Sequence, residues 1–181
     1  MEFLLIASAH FLALLSPGPD FFLIVQASLK LQKRYITSLC AGISVANAVY
    51  LIFAILGLET IKELTFFSTV LQYFGAAYLL FIGISLLKAG KSDIKGNHKP
   101  NFLSKPSLIY QFTVGFTSAI LNPKNGIFYL SLFTVMVSAE TPLIIRFCYG
   151  CWMVFIVFIW DLFLGICFGN DKVKNTLGAS I

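Results

Sequence analysis

A chain of 181 residues that is 58% hydrophobic and 12% charged is too apolar for an ordinary soluble domain, which is about 45–50% apolar and about 25% charged. About 105 apolar side chains, at about 20 per membrane-spanning helix, make about five spans and leave roughly 80 residues for ends, loops and breaks. That excludes a soluble catalytic or ATP-binding domain of about 100 residues, and the net charge of +5 reads as a report of membrane orientation rather than of an acidic partner.

The first apolar stretch runs from Phe3 to about Leu31. Glu2 is the only charge before it and the run does not stop at Ala9, so it reads as a retained span rather than a signal peptide, which needs a basic start and a short apolar core. Ser16-Pro17-Gly18-Pro19-Asp20 interrupts it. Two prolines and a glycine in one turn remove backbone donors and clash with the preceding turn, so the helix must kink or unwind there.

Span two is Tyr35 to Leu58 and span three is Thr65 to Leu87. Gly42, Ala46, Gly75 and Gly83 are small residues of the kind that let helices approach closely in lipid. Asn47, in the middle of span two, must find hydrogen-bond partners where there is no bulk water, either as interhelical glue or as the lining of a cavity. A polar loop from Lys88 to Lys105 follows and is the one internal boundary. Span four, Leu108 to about Val137, is broken by Asn122-Pro123-Lys124-Asn125-Gly126. Span five, Leu143 to Phe168, carries Asp161, and residues from Gly169 to Ile181 are polar enough to lie outside the bilayer.

The loops after spans one, three and five hold ten Lys and Arg, against Lys62 and Arg146 on the other side. The positive-inside rule then places the amino terminus outside and the Lys88 to Lys105 loop in the cytoplasm. Topology accounts for that basic loop, and no aromatic-interleaved motif accompanies it to suggest nucleic acid. The four cysteines, Cys40, Cys148, Cys151 and Cys167, lie in apolar runs and read as small fillers. Cys148 and Cys151 lack the soluble fold that a redox C-x-x-C requires.

Asp20, Lys124 and Asp161 are the ionisable side chains expected well inside the spans. Each costs at least about 2.5–3.5 kcal/mol at a helix centre, which makes it a functional candidate. The bland alternatives are that Lys124 neutralises an aspartate as a structural pair, that Asp20 sits near a wet interface, and that Asp161, after Trp160, lies towards the inner surface. The setting is the stronger signal. Asp20 follows a Pro-Gly-Pro break and Lys124 an Asn-Pro break, each in the first span of its half of the chain. Broken helices expose backbone groups and half-helix dipole ends that bind carboxylates and cations at mid-membrane. The fold expected is all-α, a polytopic membrane helix bundle of five spans belonging to a three-plus-three inverted-repeat transporter. Repeat one covers about 1–88, the cytoplasmic loop 89–106, and a second repeat lacking its last helix about 107–181, together one transmembrane domain.

Ser16-Pro17-Gly18-Pro19-Asp20, followed by a basic turn and Ala41-Gly42, resembles the opening of the lysine exporter (LysE/RhtB) family of amino-acid efflux permeases. Leu121-Asn122-Pro123-Lys124 with Phe128 resembles that family's second signature. The resemblance implies a bacterial inner-membrane, multi-pass carrier that exports amino acids or their derivatives by proton or cation exchange. It marks Pro17, Gly18, Pro19 and Asp20, then Asn122, Pro123 and Lys124, as site residues. Asp20 would bind the substrate ammonium or carry a coupling proton, Lys124 and the half-helix ends would meet the carboxylate, and Asn47 and Asp161 would line the same cavity.

The partners expected are a zwitterionic amino acid, a proton or other cation, and the lipid bilayer; a homodimer is compatible, and nucleic acid is not expected. The family has a sixth span that is not found before Ile181, so a non-transporting member stands as the second reading. A divalent-cation exporter ranks lower, because His10 and His98 are the only histidines and form no cluster with Cys or Asp in one span. No enzyme is expected, since neither H-E-x-x-H nor a Ser with a nearby His is present, and nothing indicates a bound cofactor or metal.

Overall fold

The computed structural model describes residues 1–61 (side chains of 58–61 excepted), 69, 70, 73, 74, 76, 77, 80, 84, 106–138 and 140–170. Among these residues the fold is helical throughout, in six helices with no strand: α1 Glu2–Leu14, α2 Pro19–Lys30, α3 Lys33–Ile61, α4 Leu108–Ile120, α5 Pro123–Met136 and α6 Leu143–Phe168. Most of expected span three, with Gly75 and Gly83, lies outside the described residues, as do the loop up to Lys105 and residues 171–181.

Helix lengths follow from where proline stands. α3 and α6 have no proline, and each is long and apolar enough to cross a membrane. Expected span one appears as the bent pair α1 and α2, which counts as a third crossing when taken together. Expected span four appears as α4 and α5, of 13 and 14 residues. Either half alone is only ~20 Å long at 1.5 Å per residue, short of a hydrocarbon core of about 30 Å. Exposed side chains such as Leu4, Phe53, Ile109, Ile144 and Phe155 form the apolar exterior that suits lipid and is far larger than a soluble monomer tolerates.

The helices sort into two compact units, and both breaks fall at the boundary. The first unit takes residues 1–16 with α1, the part of α3 from Asn47 onward, α5, and α6 as far as Val154. In it α1 packs on α5. Its core comprises Ile6 from α1, Leu51, Ala54 and Ile55 from α3, Phe128, Tyr129, Leu132 and Phe133 from α5, and Met153 from α6. Glu2 ties the end of this unit, its carboxylate accepting from the Ser138 backbone N–H at 2.8 Å and from the Thr141 hydroxyl at 3.0 Å.

The second unit takes α2, α3 up to Ala46, α4, and α6 from Phe155. In it α2 packs on α4. α3 and α4 meet backbone to backbone at two glycines. A Cβ on Gly42 would run into the Phe112 carbonyl oxygen, and one on Gly115 into the Leu39 carbonyl oxygen. The Ser38 hydroxyl donates to the Leu108 carbonyl at 2.7 Å along the same seam. Gly57, in contrast, has nothing within 4 Å of where its Cβ would stand.

This contrast gives a paired expectation. Gly42→Leu and Gly115→Leu force the helices apart and lower the thermal midpoint of the detergent-purified protein, each by at least the 1–3 kcal/mol typical of overpacking. Gly57→Ala raises stability by about 0.5–1 kcal/mol, through helix propensity alone. A Gly115→Leu protein that melts with wild type would contradict the close approach.

Candidate functional site

The two helix breaks are built by the same local chemistry. α1 ends at Leu14, and Gly18 then stands in extended conformation as the N-cap of α2 with Pro19 in the first helical position. α4 ends at Ile120, and Asn122 stands extended as the N-cap of α5 with Pro123 in the equivalent position. Proline there has no cost, because the first N–H groups of a helix lack intrahelical partners in any case. Asn122 supplies one missing acceptor, taking the Lys124 backbone N–H on Oδ1 at 3.1 Å. Both prolines are followed at once by an ionisable side chain, Asp20 in one break and Lys124 in the other.

Asp20 belongs to the second unit. It sits in the first turn of α2, where the positive end of the helix dipole favours a carboxylate. The Ser118 hydroxyl of α4 donates to its Oδ1 at 2.8 Å. Asp161 of α6 lies in the same unit and within electrostatic reach of Asp20. It is buried, at 6% exposure, rather than at a wet surface. Its Oδ2 makes no hydrogen bond among the described residues.

Lys124 belongs to the first unit. A lysine in the first turn of a helix faces the wrong end of its own dipole. Its ammonium reaches instead to the far end of another half-helix, Nζ donating to the Ser16 carbonyl just past α1 at 3.2 Å. Lysine 124 thus joins the second break to the first through a backbone oxygen that α1 leaves open. Asn122 and Asn47 are buried in the same unit. Of the site residues expected from sequence, the structure gathers Asp20 with Asp161 in one unit, and Lys124, Pro123, Asn122 and Asn47 in the other. Pro17, Gly18 and Pro19 go with Asp20.

Several contributors lie beyond the sequence reading. Ser118 and the Ser16 carbonyl are partners of the charged groups and stand 98 and 108 residues away from them. Arg146, counted from sequence with Lys62 on the outer side and not among the ionisable groups inside the spans, is 1% exposed on α6 in the first unit. Its position inside the apolar run that starts at Leu143 was the available signal. The reading of the cysteines as fillers holds for Cys40, which is buried; Cys148, Cys151 and Cys167 are exposed. His10 is also buried, at 1% exposure. Among the described residues no three His, Cys, Asp or Glu side chains are grouped to hold a metal ion.

Proline-broken helices with ionisable side chains at the breaks, among long apolar helices, define a membrane translocator rather than an enzyme. The chain belongs to the LysE type translocator family, which matches it over residues 11–173. It is 31% identical over 140 residues to the threonine efflux protein of Escherichia coli K12, covering 76% of this chain and 67% of that protein. It is 30% identical over 140 residues to the leucine efflux protein of Klebsiella pneumoniae, covering 71% and 61%. An uncharacterized Escherichia coli K12 membrane protein, YahN, is 28% identical over 165 residues, covering 90% and 73%. No solved structure matches the chain.

The caps yield a second expectation. Asn122→Ala removes the acceptor for the Lys124 N–H and costs about 0.5–2 kcal/mol, while Asn122→Asp keeps most of it. Equal melting of the alanine and aspartate variants in detergent would show that the cap carries no weight.

Proposed function

We propose that the protein is a secondary exporter of small amino acids, exchanging them for protons or another cation across the bacterial inner membrane. The observation that carries this reading is the opposite charge placed at two helix breaks of one design, Gly-Pro-Asp and Asn-Pro-Lys. An amino acid at neutral pH is a zwitterion, so its transporter must offer an anion to the ammonium and a cation or helix amino end to the carboxylate. The Asp20 carboxylate, oriented by Ser118, is the ammonium anchor. Lys124, at the start of α5 where the helix dipole is positive, receives the carboxylate. Asn47 and Asp161 supply polar lining. Efflux relatives named for threonine and for leucine support the substrate class. Ten basic residues on one side against two on the other support an outside amino terminus, in a three-plus-three inverted repeat whose first span of each half is broken.

Asp20→Ala and Lys124→Ala each abolish release of labelled threonine and leucine from preloaded cells, while membrane abundance stays that of wild type. Wild-type release by both variants would sink the site assignment. Ser118→Ala leaves Asp20 in place without its donor, so it raises the KM for efflux more than it lowers the maximal rate, and Ser118→Thr restores the wild-type KM.

A further inference from the structure

Asp161 stands where α6 is wedged between two other helices of the second unit. A Cβ on Gly165, one turn further along α6, would meet the Ile24 and Ser28 side chains of α2 and the Ile36 side chain of α3. One on Gly169, a turn further again, would come to the Ser28 carbonyl oxygen, so α6 and α2 run in the same direction. α3 runs the opposite way, since it is joined to α2 by Leu31 and Gln32 alone. One turn back from Gly165 and Ile24, and one turn forward from Ile36, the same helix faces carry Asp161, Asp20 and Cys40, which brings Asp161 level with the other two. Charge agrees with that placement. Asp20 is the charged group that acts on Asp161, and Asp161 acts in turn on the Cys40 thiol.

The two carboxylates are not equally served. Asp20 accepts from the Ser118 hydroxyl, whereas Asp161, 6% exposed, has an Oδ2 that makes no hydrogen bond among the described residues. A carboxylate charge buried without a partner is costly, and a second carboxylate near it adds repulsion. The other charged or titratable side chains among the described residues of this unit are Lys30 on α2, Lys33, Arg34, Tyr35 and Cys40 on α3, Tyr110 on α4 and Cys167 on α6. Lys30, Lys33 and Arg34 are exposed where α2 passes into α3, and Lys30 lies ~15 Å along α2 from Asp20 at 1.5 Å per residue. A proton on Asp161 relieves both the burial cost and the repulsion. A cation docked on Asp20 relieves the repulsion by another route, so the two cations compete.

We propose that Asp161 is the proton site of the exchange: Oδ2 holds a proton while Asp20 has no ligand, and releases it when a ligand ammonium docks on Asp20. The O–H bond breaks as the ammonium takes over the compensation of negative charge, and the proton passes to water. It returns to the same oxygen once the ammonium has left, and no other bond changes. Proton and amino acid thereby exclude one another, which is what exchange in opposite directions requires. The identity of the ligand rests on the exporter reading; the proton on Asp161 does not.

Two readouts on the purified full chain test this. Without ligand, the infrared spectrum in heavy water shows the C=O stretch of a protonated carboxyl, which Asp161→Asn removes and Cys40→Ala keeps. On addition of threonine or leucine, a pH indicator in weakly buffered solution reports proton release, and the wild-type infrared band falls with it. By linkage, release of about one proton per molecule bound makes the dissociation constant rise up to about tenfold for each unit by which the pH is lowered. Asp161→Asn releases no proton, and its dissociation constant, whatever its value, is flat with pH.

A wild-type protein that binds either amino acid without releasing a proton overturns the proposal, and that measurement needs no variant. A carboxyl band or a proton release that persists in Asp161→Asn overturns it as well, and release that persists there but is lost in Cys40→Ala moves the site to the thiol. A wild-type protein that binds neither amino acid fails the exporter reading instead, and the infrared band, present in wild type and absent from Asp161→Asn or not, still decides the proton.

Discussion

A helix cannot break inside a bilayer unless something takes over the hydrogen bonds it gives up. The rest of this structure answers that constraint at two places. Proline removes the donors that would otherwise be orphaned, Asn122 side-chain oxygen accepts one that remains, and the Lys124 ammonium reaches an acceptor stranded at the end of α1. Packing follows the same division. Within one unit the first half of one broken pair lies on the second half of the other, and within the other unit the reverse holds. The breaks therefore set both where charge sits and which helices meet.

Charge is sorted by sign. The two aspartates that lie along the helices away from their outer ends belong to one unit, and Lys124 and Arg146 to the other. Charge inside a membrane is expensive, and under the proposed reading these side chains serve as binding groups for a ligand that itself carries both signs. Ser118 on Asp20 then has the character of a directing bond, holding one carboxylate oxygen and leaving the geometry of the other set.

The breaks were legible in the sequence because proline is a local instruction: its missing N–H and fixed ring act on the adjoining turn whatever the fold. Close packing at Gly42 was legible too, as a small residue in an apolar helix. What Asp20 and Lys124 hold was not, since Ser118 and the Ser16 carbonyl are far away in sequence and nothing in their type announces a partner. Arg146 was missed as a buried group through its place near a span end, where neighbouring helices make a core. His10 stood in an apolar run with no motif around it. Its aromatic neighbours reach it only once α1, α5 and α6 have come together.

The bond from Lys124 to Ser16 spans 108 residues, and that separation has a meaning for synthesis. At about 5–20 residues per second, the Ser16 carbonyl is made roughly 5–20 s before its lysine leaves the ribosome. During that interval the first broken pair must reside at the membrane with an acceptor unmet by its final partner, held by insertion machinery, lipid headgroups or water. The assembly intermediate is thus open at the very position where the finished protein is sealed. Delivery of the second break, rather than insertion of the first, closes it.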